Sequence, residues 1–403
     1  KRNFALYHIP DCDIYLHSIY TLDYNEQLSI VKGLRKRIPQ AKHIAGGPHV
    51  MTFQEESLKI FDTLIIGAGE TSIIQAIKDF KSNKLKQKYY SSERKDINSC
   101  PIPLRKYLPE KTIARPGLMT LKYKNDYDKI IGTTTIFSRG CPYKCAFCYM
   151  PSSKQYRPGI VFRTPKLIEE EINYLKNDYG IEGINLLDEI CVPLSMRRAI
   201  PHLEAIGRTG ILWRGQCRVD GINNELAYLM KESGCIAMAL GVESISQHSL
   251  DMVNKKIKVE KARESISILK EAGIETRVYM ILGLPGEPPD IVEQTWKFIK
   301  ETDPANVYLS LFTARPGTDV YENPEKYSIK KLGINWNETM HLYCRYEKES
   351  PTLTFSYEEN ASWGPSISNQ KIIENYLELQ DRIKTNGYGP AGYTNKENNQ
   401  PSK

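Results

Sequence analysis

The length, composition and charge of the chain exclude several classes of protein. Its 403 residues are enough for two domains, because a single hydrophobic core stops growing at about 250–300 residues. Hydrophobic residues make up 40% of the chain and charged residues 26%, as in an ordinary globular protein. No apolar run approaches the ~20 residues that span a bilayer. We therefore expect two folded units and no membrane segment.

The cysteine content and the first residues favour a cytoplasmic protein. Nine cysteines is an odd number, and three of them are clustered while the others are scattered, unlike a secreted disulfide framework. The opening sequence KRNFALYHIP has no apolar signal-peptide core. The net charge is +7, but the basic residues are spread out except over 81–95. We interpret that stretch as a solvated linker, and we expect no nucleic-acid partner.

Residues 1–80 alternate short apolar segments with helical patterns. The segments DIYLHSIY, KHIAGG and DTLIIGAG predict strands, with one helix over about 25–37 and another from about Thr71. This βαβ rhythm is typical of a parallel sheet covered by helices. The sequence therefore predicts a small Rossmann-like α/β domain.

A second βα series follows a basic, Tyr- and Pro-rich connector over 81–130. Six predicted strands lie within 131–320: TTTIFS, GINLLD, GILWRGQ, CIAMALG, TRVYMILG and NVYLSLF. Six βα units predict a partial (β/α)6 TIM-like barrel, whose site lies at the carboxyl ends of the strands. Residues 321–388 form a helical and irregular region, with a helix near 370–384. The polar tail 389–403 is predicted to be disordered.

Three cysteines lie close together after the first predicted barrel strand. They are Cys141, Cys145 and Cys148, in the sequence GCPYKCAFCY. Thiolates this close in one loop can ligate three corners of a cubane iron-sulfur cluster, and the missing fourth ligand leaves one iron open to a substrate or cofactor. Structural zinc is the main alternative, but it normally takes four ligands, and no His or Cys at finger spacing lies nearby. We therefore favour a cluster.

The CxxxCxxC loop, with the aromatic Phe147 before its last cysteine, resembles the hallmark of the radical S-adenosylmethionine (SAM) superfamily. The resemblance extends from Thr133 to about Tyr321. It implies a 4Fe-4S cluster on the three cysteines and SAM chelated by the open iron. It also implies reductive cleavage of SAM to methionine and a 5′-deoxyadenosyl radical, with an electron supplied by a reductant such as flavodoxin or ferredoxin.

Further motifs end the later predicted strands and strengthen the resemblance. Each alone would more often be a helix cap or a surface ion pair, but five motifs fall on five successive strand ends. The residues that the resemblance places around SAM are Phe147, Asp188, Glu189, Gln216, Arg218, Glu243, Gly283, Gly286 and Glu287.

The first domain resembles the second half of the cobalamin-binding domain found before many radical SAM barrels. Ser18, Gly46 and Gly47 match the places where that family accommodates the nucleotide tail of cobalamin. The DxHxxG loop that supplies a lower histidine ligand in many members would lie before Lys1, so we expect the domain to be truncated or reduced. Whether cobalamin binds is left open.

Three functions follow from these alternatives. With cobalamin, the resemblance implies methyl transfer to an unactivated carbon. Without it, the radical could serve rearrangement, epimerisation or sulfur insertion, as in a methylthiotransferase. A non-catalytic iron-sulfur binding protein is the third alternative, and the acidic and glycine motifs on the later strands argue against it. The substrate is not identifiable from the sequence.

Overall fold

The chain divides into two compact units with the boundary between Cys100 and Pro101. The computed structural model describes residues 6–91, 96–123, 125–149, 159–332, 351 and 353–389. The predicted disordered tail therefore lies, apart from Gly389, outside the described residues. No helix in the described ranges has both the length and the apolar character needed to cross a membrane.

The first unit is a four-stranded parallel sheet in the order β1-β2-β3-β4, as the Rossmann-like prediction requires. Its strands are β1 (Ile14–Ser18), β2 (Lys42–Gly46), β3 (Thr63–Gly67) and β4 (Lys88–Ser91). Its α-helices are α1 (Tyr24–Arg37), α2 (Pro48–Thr52), α3 (Gln54–Leu58) and α4 (Gly69–Lys81). Short 3-10 helices cover Leu6–His8, Thr21–Asp23 and Ile97–Ser99.

Both faces of this sheet are buried, which is usual for parallel sheets. Ala45 and Leu64 belong to the core on one face, while the neighbouring residues Ile44 and Ile65 belong to the core on the other. Successive side chains of a strand point to opposite faces, so the continuous apolar runs of the sequence are explained by two-sided burial.

The second unit contains a seven-stranded sheet in the order β13-β12-β11-β10-β9-β6-β5. Six of its strands are parallel and β5 is antiparallel to β6, so the partial (β/α)6 barrel is confirmed with one added edge strand. The strands of the sheet are β5 (Arg115–Pro116), β6 (Ile131–Thr135), β9 (Gly183–Leu186), β10 (Leu212–Cys217), β11 (Cys235–Glu243), β12 (Glu275–Leu282) and β13 (Asn306–Leu311). Three antiparallel pairs lie beside it: β7 (Ser138–Arg139) with β8 (Val161–Phe162), β14 (Ile329–Leu332) with β15 (Phe355–Tyr357), and β16 (Asn360–Ala361) with β17 (Gly364–Pro365).

Helices connect the parallel strands and cover the outer face of this sheet. They are α5 (Glu110–Ile113), α6 (Pro165–Tyr179), α7 (Met196–Arg208), α8 (Asn224–Glu232), α9 (Gln247–Met252), α10 (Val259–Glu271), α11 (Ile291–Thr302), α12 (Asp319–Glu322) and α13 (Asn369–Thr385). Short 3-10 helices cover Arg105–Tyr107, Asn125–Asp128, Val219–Gly221 and Pro324–Tyr327. Helix α6 shows the local signals clearly, because Thr164 caps its first turn and Gly180 ends it in the left-handed conformation.

The central strand β11 separates an apolar outer face from an open inner face. Met238 and Leu240 are fully buried in the core under the helices. The alternate residues Ala237 and Ala239 line a cavity on the inner face. Because alanine side chains are short, this face of the sheet keeps space that larger residues would fill.

The predicted connector over 81–130 is divided between the two units. β4 joins the first sheet because Tyr89 is buried there and its hydroxyl donates to Asp79 (2.7 Å). Residues near β5 pack on the second sheet, where a Cβ at Gly183 would lie 2.7 Å from Met119. Burial of Tyr89 in the first unit and packing of Met119 in the second thus order a stretch whose hydrophobic periodicity is weak.

We expect Gly47→Ala to destabilise the first unit by about 1–3 kcal/mol, because Gly47 has φ +100 and ψ 177, a region that only glycine adopts readily. A Cβ there would also lie 2.8 Å from the Ile19 carbonyl oxygen. Gly46→Ala is the matched control, since its Cβ would make ordinary 3.5 Å contacts with Ile65. Hydrogen exchange of peptides within residues 6–91 measures the effect. Equal exchange in the two variants would contradict this explanation of Gly47.

Candidate functional site

The cysteine loop follows β7 and is held by hydrogen bonds from a distant segment. The amide of Ala146 donates to the carbonyl of Val253 (2.8 Å), and the side-chain amide of Asn254 donates to the carbonyl of Lys144 (2.7 Å). Both partners lie just after α9. The loop is therefore positioned by the turn after α9 as well as by its own strand β7.

Cations surround the cysteine sulfur atoms. Nη1 of Arg218 lies 3.6 Å from Sγ of Cys145, a residue that is 8% exposed. Burial raises the pKa of the Cys141 thiol, and the positive charges of Arg218 and Lys255 oppose that rise. Because thiolates are the ligating form of cysteine, nearby cations favour the state that binds iron.

Arg218 is held in place by three further contacts. Its Nε donates to Asp220 (2.9 Å), its Nη2 donates to the carbonyl of Lys255 (2.6 Å), and its guanidinium lies 3.5 Å from the ring centroid of Tyr143. The hydroxyl of Tyr143 donates to the same Asp220 carboxylate (2.9 Å). A buried cation needs such partners to offset its desolvation.

Glu243 ends β11 in a strained conformation and forms an ion pair. Its φ is +69, and the register with β12 shifts between Gly241 and Glu243. Lys255 donates to Glu243 over 2.7 Å, and the two side chains are only 6% and 13% exposed. Left-handed backbone in a residue other than glycine concentrates at functional sites. Lys255 belongs to no motif, so its place in the site could not be predicted from the sequence.

A cavity of about 410 Å³ opens beside the last cysteine, and we call it the cysteine-side cavity. Its volume is in the range of small-molecule sites. It is lined by Phe147, Cys148, Tyr149, Gln216, Glu243, Tyr279, Met280, Ile281, Ser310, Leu311, Phe312, Thr313 and Arg315. The structure thus brings the predicted residues Phe147, Gln216 and Glu243 together around Cys148. Period-2 alternation along β12 and β13 could have identified Tyr279 and Ser310.

A second cavity of about 280 Å³, the inner cavity, lies against the middle of the sheet. It is lined by Asn185, Leu186, Leu187, Arg214, Gly215, Gln216, Ala237, Ala239, Arg277, Tyr279 and Tyr308. Gln216 and Tyr279 line both cavities, so the two spaces adjoin each other.

Two predicted acidic residues after β9 do not line either cavity. Asp188 is fully buried, and its Oδ1 accepts a hydrogen bond from the amide of Phe137 (3.0 Å). Burial raises the pKa of Asp188 from its ordinary 3.8 to about 7. Glu189 is half-buried beside it. In this structure Asp188 orders the backbone between β6 and β7, which leads into the cysteine loop.

The GLPGE motif forms a compact turn outside both cavities. Glu287 is 7% exposed, and its Oε2 accepts from the amide of Gly283 (2.7 Å). Burial raises the pKa of Glu287 to about 8. A Cβ at Gly286, where φ is +78, would lie 2.6 Å from Sδ of Met252. The motif closes its own turn, so the predicted contacts of its three residues with SAM remain predictions.

Three thiols on one loop suit a cluster better than a single ion. In the parts of the chain that the structure describes, no three His, Cys, Asp or Glu side chains are close enough to share one metal ion. A cubane cluster has a different requirement, because each of the three cysteines would ligate a different iron. The donor chemistry and the adjacent cations therefore fit an iron-sulfur cluster.

The first unit has an open edge but no lower histidine in the expected motif. Ser18 is exposed and pairs with Gly46 at the carboxyl ends of β1 and β2. A Cβ at Gly46 would meet only Ile65, at 3.5 Å, so the edge above it has room. His43 and His49 are buried in the unit, where burial lowers the pKa of each to about 4. The edge thus has room for a ligand above Gly46, and the predicted contacts of Ser18, Gly46 and Gly47 with cobalamin remain predictions.

Comparisons with known proteins match the second unit to one family. Residues 135–299 match the model of the Radical SAM superfamily. The chain is 30% identical over 308 residues to an uncharacterized methyltransferase, PH0819, of Pyrococcus horikoshii, covering 73% of this chain and 65% of that protein. It is 32% identical over 191 residues to the anaerobic magnesium-protoporphyrin IX monomethyl ester cyclase of Rubrivivax gelatinosus, covering 46% of this chain and 34% of that protein. The chain thus spans less than two thirds of the length of either relative.

A solved structure shows the same fold. The radical SAM methyltransferase TsrM from Kitasatospora setae, with cobalamin and a [4Fe-4S] cluster bound, superposes with a TM-score of 0.58. The match covers 78% of this chain and 67% of that chain at 18% identity. The predicted fold is therefore confirmed, and residues 135–299 match the predicted family.

We expect Asp188→Asn to remove a pH dependence of stability. Asp188 holds its proton more tightly in the folded chain, so its contribution is fully present below about pH 4 and is lost as the pH rises through 7. The loss is at most roughly 4 kcal/mol, since one pKa unit corresponds to about 1.4 kcal/mol. Urea unfolding at pH 5 and pH 8 measures the free energy of unfolding. The value for the variant, relative to that for the wild type, should be higher at pH 8 than at pH 5. Asp178→Asn, on the exposed face of α6, is the control, and a parallel response in both variants would contradict this role.

Proposed function

We propose that the chain is an enzyme that cleaves SAM reductively to start radical chemistry, because residues 135–299 match the Radical SAM superfamily model. The observation that carries this proposal is the position of the cysteine loop. Cys148 and Phe147 line the same cavity as Gln216 and Glu243, which come from two different strand ends. Ligand-binding groups at strand carboxyl ends are the rule in barrels of this kind.

The three cysteines would hold the cluster. When bound, a 4Fe-4S cluster would supply the electron that breaks a carbon-sulfur bond of SAM. The chain's own contribution is electrostatic: Arg218 donates toward the sulfur of Cys145, and hydrogen bonds to cluster sulfurs tune the reduction potential.

SAM would occupy the cysteine-side cavity. The amide of Gln216, the carboxylate of Glu243 and the hydroxyl of Ser310 offer both donors and acceptors to its amino-acid and ribose groups. Lys255 holds one oxygen of Glu243, which fixes the direction of the other. Leu311 and Phe312 add apolar surface for a base.

We further propose that the reaction is methyl transfer with cobalamin. The methyltransferase relative of Pyrococcus horikoshii and the fold shared with cobalamin-bound TsrM support it. The first unit supplies a parallel sheet with room above Gly46 at its carboxyl edge. Cobalamin, when bound, would relay the methyl group. The cyclase relative supports the alternative, a radical reaction without methyl transfer. The cytoplasmic location and the flavodoxin or ferredoxin reductant also remain predictions.

We expect Cys148→Ala to abolish 5′-deoxyadenosine formation, because a cluster with two thiolates on this loop loses iron. The protein is reconstituted anaerobically with iron and sulfide, reduced, and incubated with SAM, and iron content and deoxyadenosine are quantified. Cys12→Ala, an exposed cysteine outside the loop, should match the wild type. If Cys148→Ala keeps both iron and product, or if the loaded wild type cleaves no SAM, the proposed activity is wrong.

Methyl transfer predicts a second product, S-adenosylhomocysteine, that accumulates only when cobalamin is added. The same assay with and without hydroxocobalamin measures it in the wild type. If 5′-deoxyadenosine forms under both conditions but S-adenosylhomocysteine forms under neither, methyl transfer is excluded. The proposed SAM cleavage would still hold.

A further inference from the structure

Arg214 lies in the wall of the inner cavity with most of its donors unused. Its Nε donates to Oδ1 of Asn185 (3.0 Å). Among the described residues, neither of its two terminal nitrogens has a hydrogen-bond partner, and no carboxylate pairs with it. Arginine has five N–H donors in a planar fork, so four remain for a ligand.

The neighbouring charges do not neutralise Arg214. Arg277 also lines the cavity, but it is paired with Glu275, to which its Nη2 donates over 2.9 Å. The other oxygen of Glu275 accepts from the amide of Lys122 (2.7 Å), and Nη2 of Arg277 also reaches the carbonyl of Thr120 (3.0 Å). The carboxylate of Glu275 is thus already engaged by Arg277 and by the amide of Lys122. The cavity wall carries about one uncompensated positive charge.

Burial makes this charge costly. Burial, together with the charge of Arg277, lowers the pKa of Arg214 to about 10. The group is still protonated near neutral pH, and a partly desolvated cation without a carboxylate partner is unfavourable. Arg214 is half-buried and faces the cavity. An anionic ligand there would supply the missing partner, and the fork geometry of arginine suits the two oxygens of a carboxylate or a phosphate.

We propose that the inner cavity binds the substrate through an anionic group, a carboxylate or a phosphate, held by Arg214. The short side chains of Ala237 and Ala239 leave the space, and the rings of Tyr279 and Tyr308 offer an apolar wall for the rest of the molecule. That the anion belongs to the substrate rests on the proposed function. The binding of the anion does not.

The inner cavity adjoins the cysteine-side cavity, so binding at Arg214 would position a substrate next to the proposed SAM site. Gln216 and Tyr279 line both spaces. A molecule anchored at Arg214 would therefore extend past these two residues toward the cavity proposed for SAM. The anchor fixes one end of the substrate so that a carbon at the other end lies near the radical.

The experiment measures binding of small probe anions to the full chain by ligand-observed NMR, without SAM. Benzoate represents a carboxylate, inorganic phosphate a phosphate, and benzamide the neutral analogue of benzoate. We expect saturable binding of at least one anion, with benzamide at least about tenfold weaker than benzoate if the carboxylate is preferred. Tighter benzoate indicates a carboxylate substrate, and tighter phosphate indicates a phosphorylated one.

Variants locate the binding in the chain. Arg214→Gln should weaken the anion at least about tenfold, because it removes the charge and keeps a polar side chain of similar length. Arg208→Gln is the matched control, since Arg208 is half-exposed on the outer helix α7 and paired with Glu169. Ala239→Leu fills the cavity without changing charge and should also weaken binding. If circular dichroism shows that Arg214→Gln does not fold, Ala239→Leu decides.

Three results would overturn the inference: no saturable binding of either anion, equal binding of benzoate and benzamide with no binding of phosphate, or anion binding that folded Arg214→Gln leaves unchanged. SAM cleavage by the wild type is assayed separately. Anion binding without SAM cleavage would count against the proposed function alone. SAM cleavage without anion binding would count against this anchor alone.

Discussion

The contacts of one guanidinium, that of Arg218, hold the candidate site together. Arg218 follows β10, reaches the sulfur of Cys145, and donates to the backbone of Lys255. Lys255 in turn holds Glu243 at the end of β11. Three segments that are distant in sequence therefore converge on one buried cation. Removing one partner of such a buried network leaves the others uncompensated, which typically costs several kcal/mol.

The sheet supplies the space that this network borders. Parallel strands end at one edge, so Gln216 of β10, Glu243 of β11 and Met280 of β12 line one cavity without any long loop. Along β11 the outward Met238 and Leu240 fill the core, while the inward Ala237 and Ala239 leave a cavity. The same alternation thus stabilises the fold on one face and keeps the other face available for ligands.

The sequence predicted the elements well because their signals are local. Apolar runs, glycines after strands and the cysteine spacing are all readable within about ten residues, and each predicted strand of the second unit is present. The contact partners of a side chain, in contrast, are often distant from it in the sequence. Nothing in the sequence distinguishes an acidic group that lines a cavity, such as Glu243, from Asp188 and Glu287, which accept hydrogen bonds from backbone amides inside the fold. Lys255 was missed for the same reason, since only the folded chain brings it to Glu243.

The distribution of charge constrains what the site can accept. At the cysteine end, Arg218 and Lys255 are balanced by Asp220 and Glu243. Toward the middle of the sheet the balance fails, because Arg214 has no carboxylate partner among the described residues. Fields between low-dielectric walls are strong, so an anion that enters the inner cavity would be attracted to Arg214. In the proposed binding mode this attraction would orient the substrate before the radical forms, and a neutral molecule of the same shape would gain no such alignment.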